Sequence, residues 1–535
     1  MKRFKLTPLR FISIFIITIV FFQACKTYYF RSDYKHANEL LHSAKNLETK
    51  PFLKAHLKNG DVCILKDSWQ IDTIQNVISG NGMRYNFNRV KTFEGKIKIN
   101  LDSVALYETN KKLKNTETDR ITALTILAVA DLLGAIACAT NPKACFGSCP
   151  TFYINENDNY HHSNAEGFSS AILPSLEYAD IDALDNKTIS NRNFSITMKN
   201  EAAETHCVKN VKLLAYPREK GQKIYQSPHN DFYLCKNTYK INDASGENGD
   251  ISPLLKDKDQ KEWFSLSDEN NMNSKENIYV DFDNIKDEKN LGLIINFRQT
   301  LMTTYLIYNA MGYMGDEVSD FFAKAERSKT INNKLKNGLN KILGNIDIYA
   351  WNENKQKWSF QGSFNEIGPI AINHQLIPLK NSANHSKLKL KIVLNKGYWR
   401  IDYLALTNIA KKVKPIELYP KSVLNKNKLD SKALEEINSP DKYLVSMPGD
   451  KYKLNFVLPK NNDYELFVYS KGYYLEWMRK SWYKHKNLLK LNQMFNHPKK
   501  YLKSEAKNYK RYESLMEEIF WNSKLQSDKK SCYEN

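Results

Sequence analysis

The sequence predicts a mainly β fold with helices (α+β), multidomain and built from β-sandwich-like modules. Three observations carry this. Between about Phe52 and Ile416 the apolar residues fall in short runs of strand length, parted by turns such as Asn59-Gly60 and Glu94-Gly95. Helical spacing is confined to a few segments, so no helix stands between successive strands as a parallel sheet would require. At 535 residues, with 42% hydrophobic and 12% aromatic side chains, the chain has ample core for more than one domain.

The first element is an apolar run, Phe11 to Phe22, behind Lys2, Arg3, Lys5 and Arg10 and ending in Ala24-Cys25. It is too short for the roughly 20 residues of a membrane-spanning helix, and its basic head marks it as a secretory signal. The segment resembles the lipobox of bacterial lipoproteins, which implies removal of residues 1–24 and lipidation of Cys25. Lys26, in place of an acidic residue, points by the same analogy to the outer membrane. The lack of acidic residues through Tyr29 favours its periplasmic face over the cell surface. The expected location is therefore the cell envelope, with the N-terminal lipid anchor in the membrane.

Residues 25–51 read as a tether with a short helix, Ala37, Leu40, Leu41 and Ala44 sharing a face. Residues 52–110 read as a small antiparallel β unit, with Val62, Ile64, Trp69, Ile71, Ile78, Ile97, Ile99 and Val104 in its short runs. Within it, Asp72-Thr73-Ile74 and Asp102-Ser103-Val104 resemble the acceptor pattern for O-glycosylation of exported Bacteroidota proteins, which implies Thr73 and Ser103 as glycosylation sites. Residues 111–142 hold an apolar, Ala-rich helix, Ile121 to Thr140, flanked by lysines. Asp131 at its centre is expensive in a bilayer, so a buried or peripheral helix is expected rather than a span.

Residues 143–343 form a central β-rich domain. Cys145 and Cys149 stand in ACFGSCPTFY, where Gly147 and Pro150 favour a tight turn. In an oxidising compartment this suits a small disulfide, with free thiols as the alternative. No second cysteine pair has zinc-site spacing, so neither a metal nor any other cofactor is expected. The strands FSITM, VKLLAY, FYL, IYVDF and LGLIINF follow, and then helices near 299–327, where Val318, Phe321, Phe322 and Ala325 lie at helical spacing.

The FGSCPTFY, AEGFSSAI and NEAAETH segments are similar to those of uncharacterised Bacteroidota envelope lipoproteins. The similarity continues through FRQTLMTTYLIYNAMGYMG, YWRIDYLAL and GYYLEWMR and covers most of the chain after Cys25. It implies a family without an assigned activity.

Residues 344–416 carry IDIYAW, KWSFQGSF, KLKLKIVL and YWRIDYLAL, a strand order that resembles galactose-binding-like jelly rolls. Trp351, Trp358 and Trp399 would stack on sugar rings where exposed, although a core position is the commoner fate of tryptophan. Residues 417–535 add terminal strands and a basic amphipathic helix. Leu502, Ala506, Tyr509, Tyr512 and Met516 form its apolar face, Lys503, Lys507, Lys510 and Arg511 its basic one, and disorder is expected from Gln526 onward.

The formal charge is +20, and +16 once the signal's four basic residues are removed. Such a surplus favours an anionic lipid, an acidic glycan or an envelope protein as partner; nucleic acid fits the charge but not the compartment. The expected role is a noncatalytic binding or structural scaffold. The alternative is an envelope hydrolase with a carboxylate/His or metal centre near Glu166, Glu204 and His206. Glu204 and His206 share a face if their segment is extended, but no local structure brings all three together. A G-x-S-x-G elbow and a phosphate-binding loop are both missing from the sequence.

Overall fold

The strand Leu388–Asn395 shows how this sequence makes sheet. Leu388, Leu390, Ile392 and Leu394 are buried, while the intervening Lys389 and Lys391 stand on the other face. The same period of two recurs in Lys275–Phe282, Ile346–Asn352 and Lys451–Val457 of the computed structural model, whereas Leu291–Gln299 is buried on both faces. The model describes residues 28–33, 53–57, 61–66, 69–72, 74–85, 91–114, 149–154, 165–184, 192–200, 204–259, 261–285, 290–365, 368–380, 386–440, 442–447, 450–459, 463–476 and 482–531. Among these residues the fold is mainly β with α, as the alternation predicts.

Five sheets result. The N-terminal sheet runs in the order Tyr28–Asp33, Val104–Lys114, Leu53–Leu57, Val62–Leu65, Val77–Tyr85, Gln70–Asp72, with Lys91–Asn100 also paired to Val77–Tyr85. The Tyr28–Asp33 segment, expected as tether, is thus a strand antiparallel to Val104–Lys114. A central sheet orders Tyr178–Leu184, Tyr464–Glu476, Glu204–Pro217 and Ile416–Leu418. Beside it lies a sheet that includes Lys451–Val457, Asn193–Lys199, Thr151–Ile154 and Ala165–Glu166. Lys223–Gln226, Phe232–Lys240, Trp399–Val413, Leu291–Gln299 and Asn373–Pro378 close into a barrel. The outer sheet orders Gly249–Asp250, Asp243–Gly246, Lys275–Phe282, Leu388–Asn395, Ile346–Asn352 and Lys357–Phe364.

The barrel and the outer sheet each draw strands from both sides of the division expected at residues 343 and 344. The central sheet likewise joins residues 178–217 to the terminal strands. Antiparallel pairing asks for matching apolar faces and not for proximity in sequence, which is why the IYVDF strand takes KLKLKIVL as its neighbour.

Five of the helices pack against one another. Met302–Met314 stops at Gly315, whose φ of +56° few other residues adopt. Val318–Arg327 buries Val318, Phe322 and Ala325, as their spacing predicts. Lys329–Leu343, Leu488–Asn496 and Pro498–Ser531 complete the group. The last buries Leu502, Ala506, Tyr509 and Met516 and extends through Gln526, where disorder is expected. Two buried contacts lock the N-terminal sheet to the body: Lys54 lies 3.8 Å from Glu326, and His56 Nδ1 shares a 3.2 Å hydrogen bond with Tyr473 Oη. Among the described residues no helix is long and apolar enough to cross a membrane.

Candidate functional site

Four extended segments deliver the acidic residues. On Tyr178–Leu184 the period of two puts Asp180 and Asp182 on one face, and on Glu204–Pro217 it does the same for Glu204 and His206. The two-residue strand Ala165–Glu166 pairs with Thr151–Ile154 and brings Glu166 alongside. The Glu166 N–H donates to Asp182 Oδ2 at 2.7 Å. Glu166 Oε2 accepts from the N–H groups of Ile370 at 2.9 Å and Ala371 at 3.2 Å, a clamp between segments 204 residues apart. His206 Nε2 bonds Glu204 Oε2 at 3.0 Å, and Tyr474 meets the imidazole edge-on.

Glu166, Glu204, Cys149 and Tyr474 line a common cavity with Glu476, which sits opposite Glu204 in the strand register. Its volume is about 40 Å³, room for a few waters, against the several hundred Å³ of typical ligand sites. All the carboxylates around it are buried. Burial, reinforced by the Glu166 charge, pushes Asp180 up to about 7. Burial and the neighbouring Asp180 raise Asp182 as well. The Cys149 thiol is held well above its ordinary range by burial and by Glu166 and Glu204, so it is a poor nucleophile.

The structure therefore gathers Glu166, Glu204 and His206 into one buried neighbourhood, with only about 40 Å³ of space beside it. Among the described residues no group of three or more His, Cys, Asp or Glu side chains is arranged to hold a metal. Glu476 and the backbone of Ile370 and Ala371 escape sequence reasoning, because only tertiary pairing brings them in. A second cavity, of about 120 Å³, is apolar and lies among the helices, with Leu306, Met311, Phe322, Leu339 and Met494 in its walls.

The tryptophans separate. Trp399, expected as a possible stacking residue, is only 2% exposed and packs against Phe297 and Tyr398, so it is core. The burial of both faces of its strand is the reason: Trp399 to Leu406 are all buried. Trp351 lies half-buried on the solvent side of the outer sheet, 5.3 Å from Trp358. Tyr279, Tyr349 and Phe360 share that face and were not singled out by the sequence, although the alternation in IYVDF and IDIYAW carries the signal. Arg400, next to Trp399 on the same strand, contacts Glu262 at 3.4 Å.

Ser103 is half-buried at the end of a single helical turn, and its hydroxyl donates to the Asn100 carbonyl at 2.7 Å. Cys25, Thr73, Cys145 and the apolar segment Ile121 to Thr140 lie outside the described residues, and with Cys145 the expected disulfide to Cys149.

No family model matches the chain, and no curated protein does. Among solved structures, the crystal structure of BuGH86wt in complex with neoagarooctaose is similar at 8% identity, with a TM-score of 0.15, over 44% of this chain and 34% of that one. The chain spans about a third of that protein's length, and at that TM-score the likeness bears on neither fold nor function.

Proposed function

We propose that this chain is a membrane-tethered lipoprotein of the cell envelope, acting as a noncatalytic binding or structural scaffold for a glycan, lipid or protein. The observation that carries the noncatalytic part is the burial of the acidic cluster around so small a space. Glu166, Glu204 and His206 spend their polar atoms on each other, on backbone N–H groups and on neighbouring strands, around a space too small for a substrate. The tether rests on the signal and Cys25, and the outer membrane's periplasmic face on Lys26 and the residues after it. The basic surplus suits anionic partners in that location.

The convergence of Glu166 and Glu204 on one cavity is the specific observation that favours the second reading, an envelope hydrolase. Cys25→Ala tests the first reading: it should move the chain from the membrane pellet to the soluble envelope fraction. A substituted chain that still pellets after a high-salt wash would remove acylation as the anchor.

A further inference from the structure

The outer sheet turns an aromatic strip to solvent. Its register sets Tyr279, Lys391, Tyr349 and Phe360 side by side across four strands. In the next row Trp351 faces Trp358, and Asp281 faces Lys389. Ring centroids are 5.9 Å apart for Tyr279 and Trp358, 5.3 Å for Trp351 and Trp358, and 5.5 Å for Tyr349 and Phe360. Lys391 Nζ nests among them, 5.0 Å from the Tyr349 ring centre and 5.1 Å from that of Trp358. Tyr279 is 46% and Phe360 50% exposed. Nothing in the barrel beneath requires aromatic side chains on this outer face, and leaving them in water is unfavourable.

We propose that this strip binds an acidic polysaccharide, its sugar rings stacked on Tyr279, Trp358 and Trp351 and a carboxylate or sulfate received by Lys391. The inference rests on the binding-protein reading above and names the ligand class and the surface. An aromatic ring meets the C–H face of a pyranose through dispersion and its quadrupole. Four strands at the usual spacing make a strip about 14 Å wide, a length that a few sugar rings in a row fill.

The rings are inclined to one another at 48° to 64°, so the strip is corrugated and suits a single twisted chain rather than a flat crystalline surface. Charge selects an acidic chain. Lys391 stands at the centre of the strip with no carboxylate partner among the described residues, Lys389 lies in the row of the tryptophans, and Asp281, opposite Lys389, is the acidic group in the same rows. A two-fold contact with a second copy would set these lysines near their own images. A bilayer favours side chains that protrude several ångströms into the headgroups, which a sheet face does not offer.

Affinity electrophoresis of the full detergent-solubilised chain through gels holding polygalacturonate, chondroitin sulfate or neutral dextran tests this. Retardation by at least one of the two acidic polymers, little by dextran, and a loss of affinity of tenfold or more in Trp358→Ala support the proposal. Lys391→Gln, which leaves the rings in place, should weaken acidic binding about fivefold with an unchanged circular dichroism spectrum. Equal retardation of the Trp358→Ala and unchanged chains, or none by either acidic polymer, overturns it. So does a surface that instead binds phosphatidylglycerol vesicles, or pairs two copies, in a manner lost in Trp358→Ala. Failure here leaves the Cys25→Ala fractionation untouched, so the two readings fall separately.

Discussion

Glu262 and Arg298 meet fork to fork, Oε1 with Nε and Oε2 with Nη2, each at 2.8 Å, and neither side chain is more than 2% exposed. Arg400 adds a 3.4 Å contact to the same carboxylate and lies over the Phe264 ring. Arg298 Nη1 donates to the carbonyls of Gln299 and Pro369. One carboxylate thus ties the segment before Trp263 to two neighbouring barrel strands. Removing a single member of such a buried set leaves an uncompensated charge.

Glu262→Gln should accordingly cost about 3–5 kcal/mol, because two guanidinium groups keep their burial and lose their counter-charge. Urea unfolding followed by tryptophan fluorescence measures it. A midpoint close to the unchanged chain would mean that water, or a carboxylate from elsewhere, reaches the two arginines.

The Glu166 clamp separates a hydrogen-bond effect from a shape effect. Glu166→Gln keeps an oxygen for the Ile370 and Ala371 N–H groups and should lose only about 1 kcal/mol. Glu166→Ala strands both donors in the interior and should lose about 2–4 kcal/mol. Thermal melts of the two variants would decide it, and equal losses would contradict the clamp.

Acidity should stabilise this protein over part of its range. Asp180 titrates near 7 when folded, against about 4 in an unfolded chain. Between those values the folded form holds a proton that the unfolded form has released. Stability from this group therefore grows as pH falls from 7 towards 4 and is lost as pH rises through 7. The limit is on the order of 4 kcal/mol, shared with the neighbouring Asp182. Asp180→Asn should flatten the dependence of the melting temperature on pH between 5 and 8. A variant with the slope of the unchanged chain would show that Asp180 is already ionised when folded.

Fold class was legible because burial leaves a period in the sequence: KLKLKIVL alternates, and Val318, Phe322 and Ala325 repeat at helical spacing. Partnership was not legible, since local pattern says which face is apolar and nothing about which strand will cover it. The site followed the same rule. Glu204 and His206 pair across two residues of one strand, within reach of a period argument, whereas Glu166 meets Ile370 only through the closed fold. Trp351 and Trp399 differ for a readable reason: Trp351 alternates with the buried Ile348 and Ala350, while Trp399 opens a strand buried on both sides. The final helix defeats composition in another way, continuing through polar residues that would otherwise suggest a loose tail.

The place of Tyr464–Glu476, between Tyr178–Leu184 and Glu204–Pro217, has a consequence for biogenesis. Its two neighbours leave the ribosome more than two hundred residues earlier and wait with open edges until it arrives. The growing chain must keep those edges from other polypeptides throughout that interval. Truncation ahead of Tyr464 should thus yield inclusion bodies or demand a holding chaperone, and would not leave a shortened but soluble protein.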